Sequence, residues 1–441
     1  MQVPRRISLP HEETSRRQAA GSRKLRRWCG ALALCLCAAG VQAQSQQLQV
    51  LHWWKSVSER KAVELLASRL ADDNVAWRDG GIAGGAGVGA DIVLKSRVLA
   101  GDAPDAAQLN GVIIGEWAAL GLLREFDAVA AAGKWDRLLL PTVWNVVQPR
   151  GQVVAAPLGI HRINTLFYNR KLLAQHQLAP PRNWDEFERA AAKLQQAGVV
   201  PLAQSSEPWQ VAQLFETLLL SEAGPALYRE LFVRKSAAAF ADERVAHALH
   251  RLRRLKQWMT APLQERAWND TARQFADGGA AMMVMGDWMK GELNAWGLAT
   301  DDAFGCAAVP GTADYYLYDI DTFAMLATNP AQRAAQEKFA QLAVSAAIQA
   351  DYNQIKGSIP VLRNPDLAKM DGCARAAWRL FARGAAAQVP SLVHRMAADE
   401  VTKNAVIAEV HRYFVDDRVT AAEAQRRLAA VAQAQSMKTG K

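Results

Sequence analysis

The sequence predicts an α/β fold of mixed sheets flanked by helices, on three observations. Short apolar runs alternate with runs of helical period along the chain after residue 46, no internal repeat breaks the pattern, and no low-complexity linker interrupts it. The 441 residues suffice for two or three domains whose cores need no staples, and half of them are apolar, as in ordinary soluble globular proteins.

The elements follow in order. "LQVLHWW", residues 48–54, reads as a strand, and "SERKAVELLASRLADD" as a helix whose candidate cap is its first residue, Ser58. Neighbouring strand side chains point to opposite faces, so one sheet surface cannot take both Trp53 and Trp54, and one ring is free for other work. Further β–α units are "DIVLKSRVLAGDAPDAAQL", "IIGEWAALGLL", "VVAAPLGI" and "TLFYNRKLLAQHQL". "PPRNWDEFERAAAKLQQAG" predicts a helix capped by Asn183, with acidic residues in its first turn. "FADGGAAMMVMGDWMKGEL" predicts a helix end, a Gly-Gly turn, a buried strand and a new helix opened by "GDW". "YYLYDIDTFAML" alternates like a strand, and "PAQRAAQEKFAQLAVSAAIQADYNQI" predicts one long helix that "KGSIPVLRNP" breaks.

The net charge is +9, but residues 1–43 carry eight Lys/Arg against two Asp/Glu, which leaves 44 against 41 for the rest. That distribution speaks against nucleic acid as a partner. The first 43 residues read instead as an export signal: basic "SRKLRRW", apolar "CGALALCLCAAGV", and a small-residue site ending at Ala43. The apolar run is too short to span a bilayer. Three of the five cysteines, Cys29, Cys35 and Cys37, leave with the signal. The remaining pair, Cys306 and Cys373, is expected to form a disulfide in an oxidising compartment.

No metal or cofactor is expected. Two cysteines cannot make a zinc site, and His247 and His250 in "AHALHRLRRLKQW" read as a solvated helix face. "GAGVGA", residues 85–90, matches a dinucleotide-binding turn only in part, because a long glycine loop precedes it where a tight strand-to-helix turn is required. Asp319 and Asp321, two apart in a strand, project from one face. They can accept hydrogen bonds from sugar hydroxyls, serve as acid and base of a glycosidase, or simply be solvated. Of the 14 tryptophans, Trp53, Trp54 and Trp288 lie at a strand end or helix start, where an indole can stack on a sugar ring.

"VLHWWKSVSERKAV", "VLKSR", "GDAPDAAQLNG", "APLGIHRINTLFYN", "EPWQ", "MVMGDWMKGE", "YDIDTFAM", "KGSIPV" and "PSLVHRMA" occur in this order over almost the whole chain after the signal. As a set they resemble the periplasmic glucose-binding proteins of sugar ABC importers, within the extracellular solute-binding proteins of the maltose-binding type. The resemblance implies two α/β lobes of the type II periplasmic-binding-protein kind, joined by a hinge. Residues 46–161 with 319–357 would form the first lobe, and 162–318 with 358–441 the second. It implies that Trp54 and Trp288 stack on the sugar, that Trp53 lines the cleft, and that Glu59, Asp321, Lys356 and His394 bond the hydroxyls. Asn110 stands where glucose-binding members carry lysine, and Asp319 where they carry asparagine, so each makes the pocket more negative by one. The implied partners are a monosaccharide and the permease subunits of an importer in the inner membrane, for a monomeric periplasmic receptor that is not an enzyme. The alternatives are an exported glycoside hydrolase and a sugar receptor serving a sensor kinase or chemoreceptor.

Overall fold

The computed structural model describes residues 46–83 and 87–439. The expected export segment with its three cysteines lies outside them, as do Gly85 and Ala86 of the glycine loop. The chain enters through β1 (Gln46–His52), β2 (Val75–Gly81), β3 (Ala106–Gln108) and β4 (Ala155–Arg162). It passes through β5 (Thr165–Asn169), β6 (Val200–Ala203), β7 (Ala280–Met285) and β8 (Phe304–Ala308), then returns by β9 (Tyr316–Met325) and β10 (Gln388–Pro390). One sheet has the order β10-β9-β3-β1-β2 with β4 also paired to β9, and the other has the order β6-β7-β5-β8. β1 lies parallel to β2 and β3, and β9 runs antiparallel to β3 and β4.

Apolar burial divides the same way. Leu48, Val50 and Leu51 of β1, with Phe323 and Met325 of β9, belong to one cluster. Phe167 of β5, the "AAMMVM" strand β7 and the helix Pro208–Phe232 build the other. β4 and β9 pass between them: Ile160 and Ile320 pack in the first, and Leu317, with Ile163 just past β4, in the second. The segment after residue 357 differs from the expected division, since Ile359, Val361, Leu380 and Phe381 join the first cluster.

Local signals account for most elements and for three departures. Asn183 caps the helix Trp184–Gln196 by accepting from the Glu186 amide at 2.9 Å, as its sequence predicts. The first helix, Val57–Asp72, is capped by Ser56 and not Ser58, because Ser56 and Glu59 form a reciprocal capping box. Strand β1 ends at His52, so both tryptophans lie in the turn beyond it and strand alternation does not apply to them. The expected long helix after Pro330 is two helices, Arg333–Ala343 and Ala346–Lys356. Ser345 starts the second by accepting from the Ile348 amide.

Cys306 of β8 and Cys373 of the helix Gly372–Phe381 are disulfide-bonded, with Cα atoms 5.7 Å apart. The expectation placed both in the second lobe. The helix instead buries Ala374, Ala377 and Phe381 in the first cluster, so the bridge links that cluster to the second sheet.

Candidate functional site

A cavity of about 390 Å³ is lined by segments of both sheets. Trp53 and Trp54 reach it from the turn after β1, Glu59 from the first helix, Asp319 and Asp321 from β9, and Trp288 from the helix after β7. Lys356 ends the helix Ala346–Lys356, and His394 sits in the loop after β10. Asn110 is not among the lining residues; it stands behind the carboxylates. Its Nδ2 donates to both oxygens of Asp319 at 3.2 Å and to Asp321 at 3.0 Å, while its Oδ1 accepts from the Thr322 amide.

His161 carries no expected role in the sequence, yet it joins the charged groups. Its Nδ1 meets Asp287 at 2.5 Å and its Nε2 meets Asp321 at 3.0 Å. Burial and the Lys356 charge push this imidazole down, but the two carboxylates outweigh them and hold it up at about 9. Asp321 is buried, but His161, Lys356 at 3.8 Å and the amide of Asn110 keep it well below the usual carboxylate range. Asp319 is pushed up to about 7 by burial and the charge of Asp321, against the pull of His161. A histidine in an otherwise apolar strand, "APLGIHR", was the available signal for His161.

The charge on His161 makes stability pH-dependent. Its folded pKa lies above the ordinary 6.5, so its contribution is complete below pH 6.5 and is lost as pH rises through about 9. The melting temperature is therefore expected to fall more steeply between those pH values in the natural protein than in His161→Gln. Parallel slopes would remove this role.

His394 is held neutral, pushed down to about 3 by burial and the neighbouring His161 charge. The Ser391 hydroxyl donates to Glu216 at 2.8 Å, so the 3.0 Å contact between Ser391 Oγ and His394 Nδ1 places the ring hydrogen on Nδ1 and leaves Nε2 as an acceptor. Glu216 also accepts from the Leu392 amide and Tyr228, which fixes the loop that carries His394.

The aromatic wall belongs to the second sheet. Trp288 lies 5.4 Å from His161, 5.3 Å from His394 and 6.4 Å from Trp209, ring centroid to centroid, and Trp209 and Trp268 also line the cavity. Gly286 permits this, because a Cβ there would stand 2.1 Å from the Trp288 ring. Trp54 is 1% exposed, packs edge-on against Phe323, and holds Lys356 Nζ 5.2 Å from its ring. Trp53 is half-buried, with the Arg395 guanidinium 5.4 Å from its ring. Across the cavity Glu292 accepts from the Val57 and Ser58 amides at 3.1 and 2.8 Å. A carboxylate of the Trp288–Ala295 helix thus caps the helix that carries Glu59.

A charged, indole-walled cavity fed by two sheets is the site of a two-lobed binding protein. The chain belongs to the bacterial extracellular solute-binding protein family, whose model matches residues 93–372, and it is a periplasmic protein. It is 32% identical over 89% of its length and 93% of the relative's to a "Probable sugar-binding periplasmic protein" of Brucella suis biovar 1 (strain 1330). Among solved structures it resembles a chitin oligosaccharide binding protein (TM-score 0.76, 18% identity, 88% of this chain and 98% of that one). It also resembles the bacterial solute receptor AcbH, described with an exclusive preference for β-D-galactopyranose (TM-score 0.77, 18% identity, 90% and 100%).

Proposed function

We propose that this protein captures a monosaccharide, glucose or a close relative, and delivers it to the permease of an ABC importer. The observation that carries this reading is the cavity itself. At about 390 Å³ it sits at the small end of ligand pockets, and it sets the indoles of the second sheet, with the His394 acceptor beside them, against Glu59, Asp321 and Lys356. A pyranose offers the matching surfaces, an apolar C–H face and a rim of hydroxyls that both donate and accept. The sugar-binding names of the Brucella relative and of both structural neighbours support the substrate class. In this reading the two lobes, with residues 359–387 counted in the first, close on the sugar, and the Glu292 contact to the first helix forms in the closed state.

The hydrolase alternative needs an acid and a second carboxylate flanking the bond. Asp319 and Asp321 share one amide donor on one wall, and Asp321 is committed to His161 and Lys356. The test is a thermal-shift and calorimetric screen of hexoses, pentoses and disaccharides. Glucose or a close stereoisomer is expected to give the largest rise, about 2.7 kcal/mol of added stability at 100 times its Kd. A screen in which disaccharides bind and no monosaccharide does would overturn the monosaccharide reading.

A further inference from the structure

Four carboxylates line the cavity, and their partners differ. Glu59 and Asp321 face Lys356 at 3.6 and 3.8 Å, and Asp321 also holds His161. Glu207 is half-buried and takes a hydrogen bond from Gln210. Asp319 is 4% exposed and, among the described residues, forms no ion pair. Its side chain receives only the Asn110 amide nitrogen, which it shares with Asp321, whereas a carboxylate has room for about four donors.

A buried anion with so few donors is costly, and burial together with the Asp321 charge pushes the Asp319 carboxyl up to about 7. The charges of His161 and Arg395 relieve this only in part, because neither group pairs with Asp319. His161 is committed to Asp287 and Asp321, Arg395 to Asp91 at 2.8 Å and Glu400 at 3.0 Å, and His394 is neutral. Against the four carboxylates the lining offers as cations His161, Lys356 and the exposed Lys55, so the cavity favours positive charge.

We propose that Asp319 makes this site selective for an aminohexose, a sugar whose protonated amine pairs with the unpaired carboxylate. The proposal rests on the sugar-capture reading above and names the substrate class within it. A ring amine titrates near the range of an α-amino group, so at neutral pH it carries charge in most molecules. A charge-assisted hydrogen bond to a buried carboxylate is stronger than one from a hydroxyl. The gain appears only for the ring position that meets Asp319, so the amine and the sugar lacking that group must be compared position by position.

The experiment titrates the natural protein, at one pH near neutrality and one salt concentration, with three pairs. They are glucosamine and 2-deoxyglucose, 3-amino-3-deoxyglucose and 3-deoxyglucose, and 6-amino-6-deoxyglucose and 6-deoxyglucose, with glucose as reference. One amine is expected to bind about tenfold or more tighter than its deoxy partner. In Asp319→Asn that ratio is expected to collapse to about twofold or less. If glucose binds but no amine exceeds its deoxy partner in the natural protein, the amine proposal fails and the sugar reading stands. If no sugar of the panel binds, both fall. The comparison within the natural protein does not depend on whether the variant folds.

Discussion

Asp321→Ala is expected to lower the unfolding free energy by about 3–5 kcal/mol, the range for removing one partner from a buried ion pair. Asp321 Oδ1 accepts from Gln108 and Asn110, each at 3.0 Å, and Oδ2 meets His161 at 3.0 Å and Lys356 at 3.8 Å. Without it two buried cations remain, with Asp287 and Glu59 as their remaining close carboxylates. The same change is expected to reduce sugar affinity at least about tenfold, because Lys356 and His161 lose the anion that orients them. Asp321→Asn keeps the shape and part of the hydrogen bonding, so its stability loss is expected to be smaller. Urea unfolding at constant pH, followed by titration with the best sugar of the screen, measures both effects. A loss below about 1 kcal/mol for Asp321→Ala would show that the network is not the buried pair described.

Replacing both Cys306 and Cys373 by alanine is expected to cost about 4 kcal/mol at most. The bridge closes a loop across 67 residues, and chain-entropy arguments give that ceiling for a loop of this length. The two cysteines lie in different structural surroundings, β8 in the second sheet and a helix packed on the first cluster. The loss is therefore expected in global unfolding and not as local fraying of one strand. Denaturant midpoints of the oxidised protein and the double variant, compared at equal slope, test this. An unchanged midpoint, or two reactive thiols in the unfolded, unreduced chain, would contradict it.

Much of the architecture is legible from local pattern. The Asn183 cap, the buried strand "AAMMVM", the helix opened by "GDW" and the strand "YLYDIDTFAM" are all present as their residues predict. Each depends on short-range rules: a cap needs one side-chain oxygen, and a buried strand needs a run of apolar residues. Apolar periodicity continues through Ser345 and so predicts one long helix after Pro330, while a competing serine cap there starts a second. Of the nine residues that the resemblance names for the site, eight line the cavity, and the ninth, Asn110, stands behind it.

What the sequence by itself determined, then, is the set of elements, the pairing of two cysteines in an exported chain, and the chemical types gathered at strand ends. Only the tertiary structure decided which carboxylate is paired. Asp319 and Asp321 are two residues apart on one strand and face the same way, so no local pattern distinguishes them. His161 lies opposite Asp319 in the β4–β9 register, yet its ring nitrogens reach Asp321 and Asp287. Lys356 arrives from a helix that ends after β9, and Asn110 from the turn after β3. Coulomb interactions fall with distance and rise with burial, and both quantities exist only once these distant segments have packed together.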